Sequence, residues 1–266
     1  MTPHLGRVLT IAGSDSGGGA GVQADIKTIT ALGGYATSAI TAVTVQNTLG
    51  VHAIHPTPPD VIAAQIRAVL SDIGADAIKT GMLAGAAAAL AVLDALADVP
   101  GIPLVVDPVM VAKGGAALMS DDALEPLRQL IARADLVTPN APEAAVLTGL
   151  TVETTDDLRA AGERLLTWGV SAVLMKGGHI AGDSVIDILI TPAGETVLEG
   201  PRIDTRHTHG TGCTLASACA TGLAQGLTLE QAVARAWAYT AEAIRAAPGF
   251  GAGAGPLDHG WTLRGR

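Results

Sequence analysis

The residues from His207 to Cys213 (His-Thr-His-Gly-Thr-Gly-Cys) gather two imidazoles, two hydroxyls and a thiol just before a run of small residues, Leu215 to Ala224. Alanine favours helix, and Gly226 suits the position past a helix end. The stretch therefore predicts a tight turn, Gly210 to Cys213, feeding a helix N-terminus. Amide N–H groups there lack intrahelical partners and the helix dipole is positive, so anions bind and a cysteine thiolate is favoured. Gly210 and Gly212 would let a ligand approach the backbone. A glycine-rich loop ahead of a packed helix would read the same way and do no chemistry. His207 and His209 stand two apart, on opposite sides of an extended segment, which suits a loop role better than metal binding.

Other groups invite chemistry. Asp107, Asn140 and Glu143 each stand at or just after a predicted strand end, and carboxylates with a nearby amide suit Mg²⁺. Helix capping is the plain alternative for Asn140 and Glu143. Lys176-Gly177-Gly178 could bring a positive charge and bare backbone to a phosphate, or be a strand-end turn with a solvated lysine. Gly19-x-Gly21-x-x-Ala24 meets a loose dinucleotide pattern, but the acid expected about 20 residues later is absent and Gln46 stands there instead. A Walker A ending is missing as well.

These residues hang on an alternation of strands and helices. Strands are predicted at Val8–Ala12, Ser38–Val45, Val51–His55, Ala75–Lys79, Leu104–Val106, Leu136–Thr138 and Ala172–Met175. A hairpin is predicted around Pro192-Ala193-Gly194. The first helix should turn Val22, Ile26, Ile29 and Leu32 inward. Thr57 should cap the next, with Pro at its first position. Ser120 should cap a helix reaching Ile131. Thr228 with Gln231 forms a capping box. The tail Gly249 to Pro256 reads as a flexible or loop-like segment. Such alternation predicts a mostly parallel sheet with helices on both faces, whose ligands bind beyond the C-terminal strand ends. Ser14, Asp15, Gln46, Lys79, Asp107, Asn140 and Lys176 all fall there.

Composition sets the class. The 266 residues suit one α/β domain, 1–266, and 48% hydrophobic residues with only 2% aromatic predict a large aliphatic core. The net charge of −9 (16 basic against 25 acidic residues) argues against nucleic-acid or anionic-membrane partners. Cys213 and Cys219 make no disulfide framework, and Cys219 reads as a core thiol. The N-terminus lacks a signal-peptide pattern and the longest apolar run, Ala84 to Leu93, is too short to span a bilayer. A soluble cytoplasmic protein is expected.

Seven motifs then occur in order: AGSDSGGGAGVQADIK, ITAVTVQNTLGV, IKTGML, VVDPVMVAKGG, TPNAPEA, MKGGH and HTHGTGCT. Together they resemble the bacterial hydroxymethylpyrimidine and phosphomethylpyrimidine kinases of thiamine synthesis, members of the ribokinase superfamily. The resemblance runs from about Val8 to Ile244. It implies a ribokinase-like three-layer αβα sandwich, two ATP-dependent steps at one site, on a pyrimidine alcohol and then on its monophosphate, and a homodimer. It implies that Gly13, Asp25, Gln46, Met82 and Val109 contact the pyrimidine, and that Asp107 and Glu143 organise Mg²⁺. Lys176, Thr208, Thr211 and Asn140 would serve ATP, and Gly210 to Cys213 would be the anion hole for the transferring phosphoryl group, with Cys213 either the base or only part of that hole. Most ribokinase relatives carry aspartate at the Cys213 position; the pyrimidine subgroup and some pyridoxal kinases carry cysteine. Pyridoxal therefore stays open as a substrate, and a non-catalytic pyrimidine sensor is the alternative of another class. The Ser-Gly-Asp common after Ala-Lys is replaced here by Gly114-Gly115-Ala116.

Overall fold

A computed structural model describes residues 5–99, 101–110 and 121–264. The chain runs β1 (Arg7–Asp15), α1 (Gly21–Ala31), β2 (Tyr35–Asn47), β3 (Gly50–Pro56), α2 (Pro59–Asp72), β4 (Ala77–Thr80), α3 (Ala86–Ala95) and β5 (Leu104–Val106). A 3-10 turn (Asp121–Ala123) leads into α4 (Leu124–Ile131), β6 (Leu136–Val137), α5 (Ala141–Thr148), α6 (Thr155–Leu166) and β7 (Val173–Met175). The hairpin β8 (Ser184–Thr191) and β9 (Gly194–Pro201) precedes α7 (Thr211–Ala224) and α8 (Leu229–Arg245).

All nine strands join one sheet in the order β3-β2-β1-β4-β5-β6-β7-β8-β9. From β2 to β7 neighbours are parallel, and β3, β8 and β9 add antiparallel edges. Alternate strand residues feed two cores, as a strand's two-residue period requires. Leu9, Ile78, Val106, Val137 and Met175 pack with α2 to α6. Val8, Ala77, Val105, Leu136 and Leu174 pack with α1, α7 and α8. The result is three layers, helix–sheet–helix. Strand order reverses at β1, which pairs with β2 on one side and β4 on the other, and ligands in such sheets bind at that reversal.

Two local expectations need correction, and a third, the loop-like tail, is met. In α1, Ile26 is exposed and Asp25 is buried instead; the helix spends an inward position on a charge because Lys79 waits beneath it. Thr57 does not cap α2, because its N–H is tied to the Thr41 carbonyl of β2 (2.9 Å), and the chain enters the helix one residue later at Pro58. The tail from Gly249 to Pro256 is a loop that packs: Gly253 N–H donates to Thr48 and the His209 N–H to Gly255. The predicted Ser120 cap and the Gly114 to Ala116 segment lie outside the described residues.

Candidate active site

The start of α7 is wedged between two strand-end loops. Gly210 caps the helix with φ 87°, and a Cβ there would lie 1.8 Å from the Gly19 carbonyl oxygen, so the left-handed cap and the close approach both demand glycine. On the other flank, a Cβ on Gly212 would stand 3.1 Å from Lys176 Nζ and 3.6 Å from Asp107 Oδ2. Thr211 spends its hydroxyl on the Thr208 carbonyl (2.8 Å), which closes the turn. Among the described residues, the N–H groups of Gly212 and Cys213 have no acceptor. These are the amides to which the sequence expectation assigns an anion.

Beside them stands a cation held by acids. Lys176 Nζ donates to Asp107 Oδ1 (2.9 Å) and lies 3.9 Å from Glu143 Oε2. Burial works against the Lys176 charge, but Asp107 and Glu143 more than offset it and its pKa rises. Thr138 also donates to Asp107 Oδ1 (3.0 Å), and Oδ2 makes no hydrogen bond among the described residues. Asn140 and Glu143 form a reciprocal capping box on α5. The plain alternative for this pair is therefore present, yet it engages only one carboxylate oxygen, Oε2, through the Asn140 N–H. Burial pushes the Glu143 carboxyl up to about 7, with Asp107 adding to the rise against Lys176. Two carboxylates with a free oxygen each suit a cation that fills its remaining positions with water and phosphate, as Mg²⁺ does.

Asp25 is corrected by the structure: it has no accessible surface and cannot meet a substrate. Lys79 Nζ donates to both its carboxylate oxygens (2.9 and 3.0 Å), Ser217 donates from α7 (2.6 Å) and Thr10 from β1. Such a buried pair costs desolvation that only full hydrogen bonding recovers. Its effect is to tie β4, α1 and α7 together directly below Cys213.

The remaining predicted contacts stand at or just after the ends of β1, β2, β4 and β5. Gly13 donates its N–H to the Met82 carbonyl (3.1 Å), and a Cβ on it would meet Met82 Cε at 2.3 Å, so glycine is needed here for Met82. Val109 follows Asp107 in a tight turn, its N–H on the Asp107 carbonyl (2.8 Å). Gln46 lies against His209, and His209 Nε2 is 2.9 Å from Asp15 Oδ2. Burial would raise the Asp15 carboxyl, but the His209 contact and the N–H groups of Ala20 and Gly17 hold it below the ordinary range.

Cys213 brings a second correction. Its thiol is not acidified in the free protein: burial pushes it up to about 11, and the carboxylates of Asp25 and Asp107 reinforce the rise. Lys79 and the Gly21 N–H pull the other way and do not win. Helix-start amides favour the thiolate, but the packing around the sulfur outweighs them, although part of the residue's surface stays accessible.

Behind Lys176, Asp187 on β8 accepts the Gly177 N–H (2.8 Å). Burial pushes this carboxyl up to about 6, against the Gly177 N–H, Lys176 and Trp237. The folded protein thus favours the protonated form, so this site stabilises most at low pH and loses that contribution as pH rises through about 6. Asp187→Asn, neutral throughout, should gain stability relative to the parent between pH 5 and 7, on the order of 1–3 kcal/mol. Melting temperatures of both proteins across that range would check it; a constant difference would contradict the assignment.

The sequence places Asp15 and Lys79 at strand ends without giving either a chemical role, and it gives His209 only a loop role. A lysine inside the apolar strand run Ala77–Thr80 was the available signal for Lys79. Nothing in the sequence joins Asp15 to His209, which are 194 residues apart.

The chain matches the family described as phosphomethylpyrimidine kinase over residues 15–258. It is 50% identical to the hydroxymethylpyrimidine/phosphomethylpyrimidine kinase of Streptomyces coelicolor, covering 99% of this chain and 97% of that one. A phosphomethylpyrimidine kinase structure from Clostridium difficile 630 superposes with TM-score 0.80 at 42% identity, covering 90% of this chain and 99% of the other. The pyridoxal kinase of Staphylococcus aureus, solved with AMP-PCP and pyridoxal, superposes with TM-score 0.89 at 35% identity, covering 98% and 95%. With this match over most of its length, and a ribokinase-like fold, the chain belongs to the phosphomethylpyrimidine kinase family.

Proposed function

We propose that the chain transfers the γ-phosphoryl group of ATP to the hydroxyl of 4-amino-5-hydroxymethyl-2-methylpyrimidine, and then phosphorylates that monophosphate to the diphosphate. The observation that carries this reading is the seat of the α7 first turn, with Lys176 and Asp107 on one flank and the Gly19 backbone on the other. Phosphoryl transfer asks mainly for positioning and charge stabilisation, and this seat combines free amides with a buried ammonium. Gln46, Met82, Gly13 and Val109 would form the acceptor side; the Gln46 amide can both donate and accept toward an aminopyrimidine edge. Thr208, Thr211, Asn140 and Lys176 would serve the nucleotide. Asp107 and Glu143 would hold Mg²⁺, which when bound would neutralise phosphate charge. Glu143 must give up its proton to do so.

Steady-state assays with ATP and three acceptors test the reading: the alcohol, its monophosphate and pyridoxal. Pyridoxal belongs in the set because of the S. aureus likeness. Turnover of pyridoxal alone would overturn the pyrimidine reading. For the metal, Glu143→Gln keeps shape and removes one charge, and should raise the Mg²⁺ concentration for half-maximal rate severalfold while leaving the pyrimidine KM near the parent value. An unaltered Mg²⁺ titration would leave Glu143 a cap and nothing more.

The proposal includes one domain, a cytoplasmic location and a homodimer. Among the described residues no helix is long and apolar enough to cross a membrane. Val43, Val45 and Leu49 leave apolar surface exposed on the β2–β3 hairpin, which supports a second copy docking there. Sedimentation velocity would report the dimer.

A further inference from the structure

The Gln46 amide is gripped from two sides. The atom placed as Oε1 lies 3.1 Å from Thr44 Oγ1, and the atom placed as Nε2 lies 3.2 Å from His209 Nε2. The oxygen and nitrogen of a carboxamide exchange by a half-turn, so the partners determine which is which. Asp15 decides at one end. Its carboxylate already accepts the N–H groups of Gly17 (2.7 Å), Gly19 (3.0 Å) and Ala20 (2.9 Å), and it can only accept. His209 Nε2, 2.9 Å away, must therefore carry a proton toward it. A nitrogen that donates there cannot accept from an amide NH2. Thr44 decides at the other end: with its single hydroxyl proton on the Ser14 carbonyl (2.9 Å), its oxygen is an acceptor. The Gln46 carbonyl then faces the His209 N–H, which it shares with Asp15 as the longer arm of a three-centre bond, and its NH2 faces Thr44.

The imidazole has little room to yield. Its side chain is only 12% exposed, a Cβ on Gly19 would lie 2.6 Å from its Cδ2, and its backbone N–H is tied to the Gly255 carbonyl (3.1 Å).

We propose that Asp15 and His209 are positioning residues which, acting through Gln46, fix the direction of its amide and so which way round an acceptor ring with an amino group beside a ring nitrogen is held. This rests on the reading that Gln46 meets the pyrimidine. A reversed amide swaps donor for acceptor, and pairs with that edge only when the ring is turned over.

The test needs a readout that does not depend on turnover. In ¹⁵N–¹H spectra of the substrate-free protein, the Gln46 side-chain NH2 pair is identified by its loss in Gln46→Ala. It should shift in both Asp15→Asn and His209→Leu. In kinetics, His209→Leu should raise the aminopyrimidine KM about tenfold, the loss expected for one buried hydrogen-bond partner. The ATP KM should move less than about twofold, and His209→Gln, which restores an N–H donor, should recover part of the loss. In a Gln46→Ala background His209→Leu should add little, because the two act as one unit. Additive effects, or an NH2 pair indifferent to Asp15 and His209, would overturn the inference in an enzyme that still turns over the pyrimidine. A parent protein without activity on the aminopyrimidine would instead overturn the functional reading.

Discussion

Lys176→Met should cut turnover by about 10²–10³-fold, the range seen when one preorganised charge-stabilising donor is removed from an active site. The same change should cost stability. Asp107 is 2% exposed and would lose the ammonium 2.9 Å from its Oδ1. Breaking a buried pair from one side costs about 3–5 kcal/mol, because the surviving charge is left without compensation. Glu143 would feel the loss too, since Lys176 is the main force holding its carboxyl down against burial. The two effects can be separated. Asp107→Asn added to Lys176→Met removes the orphaned charge and should recover much of the melting temperature, but no turnover. Denaturant melts and kcat on the single and double variants check this. Turnover within about threefold of the parent in Lys176→Met would remove the lysine from the phosphate site.

The residues that were legible in the sequence and those that were not differ in a physical way. Strand-end placement made Asp107, Asn140, Glu143 and Lys176 visible as a group, because parallel α/β sheets put their ligands at those ends. The α7 cap was visible because Gly210 precedes a long run of small helix formers. The Thr228–Gln231 box was visible because its two partners are three residues apart, and the structure forms it. Contacts between distant segments were not visible. Lys79 and Asp25 are 54 residues apart, and each breaks an apolar pattern that the other explains. Amphipathic spacing put Ile26 inward because it assumes that inward positions are apolar, and this pair violates that assumption. The Cys213 acidity failed for a related reason: helix-end electrostatics is local, whereas burial is set by the whole fold.

Cys213→Ala should slow phosphorylation of the alcohol by about 10²–10³-fold, within the usual worth of a general base, and slow phosphorylation of the monophosphate far less. The second acceptor is a phosphate oxygen, already anionic at neutral pH, and needs no proton removed. With the thiol pushed up to about 11, the thiolate is a minor form at neutral pH. The first step should therefore climb about tenfold per pH unit from pH 7 toward 10, following the thiolate, and the second step should lack that slope. Lys79 and the Gly21 N–H are the groups that favour the thiolate. Cys213→Asp supplies a base that is ionised at neutral pH. It should retain more first-step activity than Cys213→Ala and lose the pH slope. The alternative is that Cys213 only packs at the head of α7 while the Gly212 and Cys213 amides do the work; Cys213→Ala keeps those amides. Rates of both steps in the parent, Cys213→Ala and Cys213→Asp, measured from pH 7 to 10, decide between the two. Equal losses in both steps, or a first-step pH slope that survives in Cys213→Ala, would leave the amides as the only catalytic element at the helix start.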